Sequence, residues 1–348
     1  MMNSFKKFFT VFILILLFFP IFNSGHLAQE KEQVKIPKEV AKILEANFPT
    51  REARLDISLT YMKTLYFPYQ NDYFTVFFLK IKNQALDYAA PFLAEDKKKG
   101  KEKRKEEEKK EIEEEEQILS CNIDFFFRIY SLGKDGQVNG IHKEIYLPYA
   151  DQVESKGYNP EEENIYSFGT IFPPGHYLLS AVAASLDLTK IGLIFQEFYL
   201  PFSSDFNKNL GFTPLFFVKS LKMMPSPDSV INLYKNLFHY ATLEIEPYFD
   251  HEFSLKENLD IFYFILGMTP GEDGKFKFEV NYIYKKGEEE VVKFEPKVKN
   301  VPAPIVSIPL GLLFEEIKLE AGEYILEICI KDKNSKKEGT EKISFIVK

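Results

Sequence analysis

The chain has 348 residues and a formal net charge of −8, with 44 Lys and Arg against 52 Asp and Glu. An acidic chain does not attract phosphate backbones, so we expect no nucleic-acid partner. The length fits about two domains of ordinary size, each able to bury a core without disulfides.

Residues 1–28 have the order of a secretory signal. Lys6 and Lys7 precede an apolar run over residues 8–22, and small or polar residues follow. The run has about 15 residues, fewer than the roughly 20 that span a bilayer as a helix. We therefore expect an exported protein, periplasmic or extracellular. Because every candidate cut leaves a large or polar residue at a preferred small position, an uncleaved N-terminal anchor is the alternative.

Residues 29–52 predict one short helix. Ile36, Val40 and Leu44 recur at helical spacing, and Pro37 lies near the first turn. From residue 53 onward the hydrophobic period changes to two, which predicts strands for the rest of the chain.

A first β-sandwich is predicted for residues 53–200. Its run Tyr73–Ile81 is almost continuously aromatic and aliphatic, as in a strand covered on both faces. Ile123–Tyr130 and Ile141–Leu147 flank a glycine-containing turn and predict a hairpin. Residues 95–118 form an insertion dense in Lys and Glu that cannot help build a core. We predict a charged helix or a disordered loop there, with a docking tail for a partner as the alternative.

Residues 201–236 are predicted to link this sandwich to a second one. Pro225-Ser-Pro227 indicates a connector, and Leu215–Val218 indicates one short strand. Residues 237–348 predict the second β-sandwich, which has its own hairpin from Lys275–Tyr284 to Val291–Phe294.

The two predicted sandwiches share a pattern at a constant offset of 147 residues. Gly175-His-Tyr177 leads into one alternating strand and Gly322-Glu-Tyr324 into another. The alternating runs that begin at Leu55 and Leu243 match as well, at a larger offset because the first sandwich carries the insertion. We therefore predict an internal repeat, in which one β-rich module is used twice.

Short strands, frequent turns and a Gly-x-Tyr entering a late strand are typical of immunoglobulin-like sandwiches. In that fold a tyrosine at this position commonly hydrogen-bonds back to the preceding loop and fixes the corner between strands. Tyr177 and Tyr324, with Gly175 and Gly322, are our candidates for such corners; ordinary core tyrosines are the alternative. We expect these residues to support stability rather than activity.

Three strings add a family resemblance. Leu243-Glu-Ile-Glu-Pro247, Phe253–Phe264 and Glu320–Leu326 resemble the β-sandwich portions of secreted bacterial proteins of the GWxTD type. Ile36–Ala53 is similar to the start of their mature chains. The resemblance implies an exported bacterial protein with immunoglobulin-like modules and no assigned reaction. The chain has no Trp, so the motif that names the family is absent and no role attached to it is carried over.

The sequence does not predict a metal site. The four histidines outside the signal, which are His142, His176, His239 and His251, lack zinc-ligand spacing. Cys121 and Cys329 fall in different predicted sandwiches, so a disulfide would have to join the two. We expect free thiols, although an oxidising compartment would permit a bond.

No sequence motif predicts catalysis or a cofactor. There is no Gly-x-Ser-x-Gly nucleophile elbow. Gly271–Lys275 is too short for a phosphate-binding loop and predicts a hairpin turn. We therefore assign no catalytic, cofactor-binding or metal-binding residue.

The sequence thus predicts an all-β protein with two immunoglobulin-like sandwich domains and a short N-terminal helix. The function that it favours is a non-enzymatic module that contacts another protein or a cell-envelope component. The 35 Phe and 19 Tyr leave open a module that binds carbohydrate or a small apolar ligand. An enzyme whose site is built from scattered loops is the third reading.

Overall fold

The fold is almost entirely β, as predicted, with one short α-helix. The structure is a computed structural model, and it describes residues 36–89, 118–257, 259–303, 305–309, 317 and 319–348. The predicted signal and the charged segment 95–117 lie outside these residues. Both therefore remain predictions.

The helix and the strands follow one another in this order: α1 Lys38–Asn47, β1 Arg54–Leu55, β2 Thr60–Tyr69, β3 Asp72–Lys82, β4 Ile118–Leu132, β5 Val138–Glu154, β6 Glu163–Phe172, β7 Gly175–Ser185, β8 Ile191–Leu200, β9 Gly211–Phe212, β10 Phe216–Met223, β11 Leu233–Lys235, β12 Phe238–Tyr240, β13 Leu243–Tyr248, β14 Glu252–Phe253, β15 Asp260–Leu266, β16 Phe276–Lys286, β17 Glu289–Lys293, β18 Lys297–Val301, β19 Ile305–Pro309, β20 Gly322–Asp332 and β21 Glu338–Val347. The predicted helix and both predicted hairpins are confirmed.

The first sandwich consists of two sheets. Sheet 1 has the order β1-β8-β7-β4-β5, and sheet 2 has the order β11-β6-β3-β2. Phenyl rings fill the space between them, with Phe125 and Phe127 of sheet 1 facing Phe77 and Phe168 of sheet 2. The Phe127 and Phe168 rings stack at 3.9 Å between centroids. Alternation along each strand thus supplies one inward ring every second residue.

The second sandwich is also made of two sheets. Sheet 3 has the order β12-β13-β10-β15-β19, with β9 also paired to β15. Sheet 4 has the order β14-β21-β20-β16-β17, with β18 also paired to β16. Its core includes Tyr263 of sheet 3 and Tyr282 of sheet 4, whose hydroxyl groups lie 3.1 Å apart.

Sheets 1 and 4 share a strand order. The sequence β8-β7-β4-β5 in sheet 1 matches β21-β20-β16-β17 in sheet 4, and every pair in both runs is antiparallel. Strands β7 and β20 begin 147 residues apart, as do β8 and β21. The two runs of strands therefore share one order, while the internal repeat itself stays a prediction.

Sheets 2 and 3 pack face to face, which joins the two sandwiches. Their shared apolar layer contains Phe67 and Phe78 from sheet 2 and Phe216, Phe238 and Phe262 from sheet 3. Strand β3 is therefore buried on both faces, because its alternate residues belong to the first core. This explains its nearly continuous apolar sequence. On the far side of sheet 1, Val40 and Leu44 of α1 pack on the outer face.

The predicted linker 201–236 contributes strands to both sandwiches. Strand β10 lies between β13 and β15 in sheet 3, and β11 pairs with β6 in sheet 2. Because β10 lies in sheet 3, the predicted match between the alternating runs at Leu55 and Leu243 is not found. Leu55 lies in β1 beside β8 of sheet 1, whereas Leu243 lies in β13 beside β10 of sheet 3, so these two alternating runs are not equivalent.

Candidate functional site

The four residues singled out as corner candidates form two similar hydrogen-bonded turns. The Tyr177 hydroxyl donates to the Pro173 carbonyl at 2.9 Å, and the Tyr324 hydroxyl donates to the Glu320 carbonyl at 2.9 Å. In each case the acceptor lies four residues upstream, in the loop that enters the strand. This is the geometry of a tyrosine corner. Burial raises the pKa of Tyr177 to about 12.

The glycines beside the two tyrosines have separate steric reasons. A Cβ on Gly175 would lie 3.0 Å from the Tyr177 ring, so a larger residue would displace the ring. Gly322 has a φ of 155°, which residues with a side chain rarely adopt. These contacts hold strands together and do not gather reactive groups.

The four histidines lie apart from one another. His142 stacks on Phe172, and His176 of β7 lies 3.0 Å from Glu197 of the neighbouring strand β8. His239 and His251 belong to the second sandwich and have different surroundings, described below. Within the described ranges, no group of three or more His, Cys, Asp or Glu could hold a metal ion. Both cysteines are free.

His239 is held by carboxylates on both sides of its ring. Its Nδ1 lies 2.9 Å from Asp228 Oδ2, and its Nε2 lies 3.6 Å from Glu244 Oε2. Tyr234 packs on the ring at 4.1 Å between centroids and donates its hydroxyl to the same Asp228 oxygen. The cluster ties the segment before β11 to strand β13. Glu244 also pairs with Lys222 at 2.9 Å, and Asn232 donates to the Tyr234 hydroxyl, so the cluster is linked to both neighbouring segments.

A second polar cluster lies near the end of β5. The buried carboxylate of Asp151 accepts a hydrogen bond from the Tyr88 hydroxyl and lies 2.6 Å from Lys235 Nζ. Its other oxygen accepts the Gln152 backbone N–H at 2.9 Å. The nearby Tyr166 hydroxyl is buried and has no hydrogen-bond partner within the described residues. Because Lys235 lies in β11, this cluster joins sheet 1 to sheet 2 across the first core.

Strand β5 is a long edge of sheet 1. It runs from Val138 to Glu154 and pairs only with β4 within the described part of the chain. The pairing is regular from Lys143↔Ile129 to Glu154↔Ile118, and register shifts occur on the turn side of Lys143. Ile141 is 54% exposed and Tyr146 is 37% exposed on this strand.

A cleft of about 350 Å³ lies where β2 of the first sandwich meets the second sandwich. Its walls are Lys63 and Tyr66 of β2, residues 212–215, His251, and residues 341–343 of β21. The Lys63 ammonium donates to the Leu215 carbonyl at 3.0 Å, and burial lowers the pKa of this lysine. Sequence reasoning missed this site. A lysine inside the aromatic strand Tyr61–Tyr69 was the available signal.

Exposed rings do not form a sugar-binding row in the described ranges. The large aromatic side chains that are most exposed are Tyr146, Tyr199 and Phe202. Tyr146 lies on β5 and Tyr199 on β8, with β7 and β4 between these strands. Most other rings fill the two cores and the layer between sheets 2 and 3.

Comparison with known proteins gives little further information. No protein-family model matches the chain, and no curated protein matches it. One solved structure to which it is similar is a crystal structure of red sea bream transglutaminase, at 8% identity and a TM-score of 0.24. The match covers 90% of this chain and 34% of that one, so the chain spans about a third of its length. A likeness this low supports no inference about reaction or partner.

Among the helical segments of the described residues, none combines the length and the hydropathy needed to cross a bilayer.

Proposed function

We propose that this protein is an exported, non-enzymatic β-sandwich module that receives an extended segment of another protein, or of a cell-envelope component, along strand β5. Strand addition to a free sheet edge is a common mode of peptide recognition. Main-chain hydrogen bonds supply affinity, and the alternating side chains of the edge supply specificity. The observation that carries the proposal is the length of the β5 edge compared with the other edges.

The other edges of the first sandwich are short or covered. Strand β1 has two residues and β11 has three, which leaves little backbone for pairing. Strand β2 is longer, but the second sandwich lies against it. The Tyr240 hydroxyl donates to its Pro68 carbonyl at 3.0 Å, and Lys63 reaches from it to Leu215. Strand β5 is the long edge of this sandwich that is left for a partner.

The position of Pro148 shows which backbone groups of β5 point outward. A proline in an edge strand lies where its missing N–H would face away from the ladder. Gln152 has the same parity, and its N–H bonds to the Asp151 carboxylate instead of β4. Glu144, Tyr146 and Ala150 therefore direct their N–H and C=O groups away from β4.

Charged side chains often protect an edge from pairing, but three of the four on β5 are bonded within the protein, and the fourth, Glu154, is its last residue. Glu144 pairs with Arg128 at 2.6 Å. Lys143 donates to Thr170 Oγ1 at 2.8 Å, and Asp151 pairs with Lys235. Pro148 is the remaining protective device and divides the edge. We therefore expect a partner segment of about six residues.

Two variants at one position test this proposal. Ala150→Pro should remove an outward donor while leaving the ladder to β4 intact, as Pro148 already does. Ala150→Thr keeps the donor and is the matched control. Each mature chain is used as bait with native envelope extract, followed by cross-linking and mass spectrometry.

A partner that is captured by the wild type and by Ala150→Thr, lost with Ala150→Pro, and protective of residues 143–152 in hydrogen exchange supports strand addition. Equal capture by all three chains, or protection elsewhere, refutes the assignment to β5.

Export is tested separately. Residues 1–28 support it through their charged start and apolar run. We expect the full chain, when expressed in a bacterial host, to be recovered outside the cytoplasm with residues 1–28 removed. Cell fractionation and sequencing of the mature N-terminus check this. An intact N-terminus in the membrane fraction would support the uncleaved anchor, and a cytoplasmic product would refute export.

A further inference from the structure

We infer that the cleft between β2 and the second sandwich binds a small organic carboxylate, with its charged end at Lys63 and His251 and its apolar body along residues 212–215 and Ile343. The cleft has about 350 Å³, at the lower end of the range for small-molecule sites, and it lies at an interface between sandwiches where such sites are common. At about 30 Å³ per water-sized group, it holds on the order of ten non-hydrogen atoms.

Lys63 supplies the positive charge. Within the described residues its ammonium has no carboxylate within ion-pair distance, and its bond to the Leu215 carbonyl uses one of three donors. A partly buried ammonium without a counter-ion is costly, and a bound anion would relieve that cost. Lys342, by contrast, is paired with Glu327 at 3.1 Å.

His251 supplies a second polar group at a fixed position. Its φ of 55° lies in the left-handed region, and its ring packs edge-on against Phe217 at 4.9 Å between centroids. Its Nδ1 lies 3.0 Å from the Ser344 carbonyl, so this nitrogen carries a proton and Nε2 is left for a ligand.

The charge state of His251 couples to the ligand. Burial and the nearby Lys63 lower the pKa of His251, whereas the Ser344 carbonyl and Asp250 act in the opposite direction. A carboxylate between Lys63 and His251 would offset the lysine charge and raise the pKa of the imidazole. Binding should therefore strengthen as the pH falls through that pKa.

The other walls favour a monoanion with an apolar body. Phe212, Pro214, Leu215 and Ile343 provide apolar surface. Glu341 lines the same cleft, and no ion pair is formed by it within the described residues. Its negative charge opposes any bound anion, and it opposes a dianion such as phosphate more strongly than a monoanion.

Calorimetric titration with hexanoate tests the site, with inorganic phosphate and hexylamine as contrasting probes. We expect the wild type to bind hexanoate and to bind both contrasts at least tenfold more weakly. Lys63→Met keeps the aliphatic stem and removes the charge, so it should lower hexanoate affinity about tenfold or more. Lys219→Met, at an exposed lysine that pairs with Glu246, is the matched control and should leave the affinity unchanged.

The pH dependence gives an independent readout. His251→Asn tolerates the left-handed backbone and cannot titrate in this range. Wild-type affinity should rise between about pH 8 and pH 6, where hexanoate stays ionised, and that rise should disappear in His251→Asn. Absence of hexanoate binding by the folded wild type overturns the inference. So does unchanged affinity in Lys63→Met, or phosphate binding as tight as hexanoate binding. Ala150→Pro should leave hexanoate binding intact, so failure of the β5 proposal is distinguishable.

Discussion

Replacement of Phe67 by alanine should destabilise the whole protein, because this ring joins the two sandwiches. Phe67 is fully buried between sheets 2 and 3. Its ring centroid lies 4.9 to 6.1 Å from those of five rings in sheet 3, which are Phe216, Phe238, Tyr240, Phe262 and Phe264.

The expected cost follows from the size of the ring and its lack of exposure. Truncation of a buried Phe to Ala typically costs about 3–5 kcal/mol through lost transfer energy and the cavity left behind. Five surrounding rings on a sheet cannot easily close the gap, so we expect the upper half of this range. Phe77→Ala, inside the first core, is a comparison of equal burial. Leu186→Ala, at a position that is 63% exposed, should change stability by less than about 0.5 kcal/mol.

Urea unfolding followed by circular dichroism and tyrosine fluorescence measures the free energy of unfolding. If the two sandwiches are packed as described, Phe67→Ala and Phe77→Ala should cost similar amounts, and the wild type should unfold in one transition. A cost below about 1 kcal/mol for Phe67→Ala, together with a large cost for Phe77→Ala, would refute the packing of sheet 2 on sheet 3.

Three further predictions follow from particular side chains. Tyr177→Phe and Tyr324→Phe should each cost about 1 kcal/mol of unfolding free energy, because their acceptor carbonyls belong to exposed residues that water can reach. The two costs should add in the double variant, and strong non-additivity would contradict separate corners. Burial raises the pKa of Asp260 to about 6, so the folded state keeps this proton to higher pH than the unfolded chain, and the associated stability is lost as the pH rises from about 4 to 6. Asp260→Asn should therefore gain about 1–2 kcal/mol at pH 7 and little at pH 4, as measured by urea midpoints; an equal effect at both pH values would refute the ionisation argument. Burial raises the pKa of the Cys121 thiol, so a thiol reagent should modify Cys329 first and Cys121 only on unfolding, and equal labelling rates would contradict the burial of Cys121.

Local sequence patterns were sufficient to predict the strands and the helix whose apolar residues recur at a regular period. The hairpin from β4 to β5 was predictable because its strands alternate and its turn contains glycines. Helix α1 was predictable because Val40 and Leu44 lie one turn apart on its buried face. The candidate corners were predictable because a short Gly-x-Tyr string places the ring and its acceptor within one turn.

The arrangement between sheets could not be read in the same way. The apolar run of β3 indicated cover on both faces but not which sheet supplies the second cover. Strand β10 pairs with β13 and β15, which are distant along the chain, and no local pattern encodes that choice. The cleft combines Lys63 with His251, two residues that only the packing of the sandwiches brings together.

The path of the chain through residues 201–236 has a practical consequence for anyone who divides the gene. The polypeptide enters sheet 3 as β9 and β10, returns to sheet 2 as β11, and then re-enters sheet 3 as β12. There the Asn236 N–H donates to the Ile165 carbonyl at 2.7 Å, which holds the returning segment in place. A split after residue 200 would remove the outer strand β11 from the N-terminal fragment and would expose the rings of Phe67 and Phe78 to water. Residues 201–236 thus connect the two sandwiches through shared sheets. Transfer of either sandwich into another polypeptide would require this segment to be transferred as well.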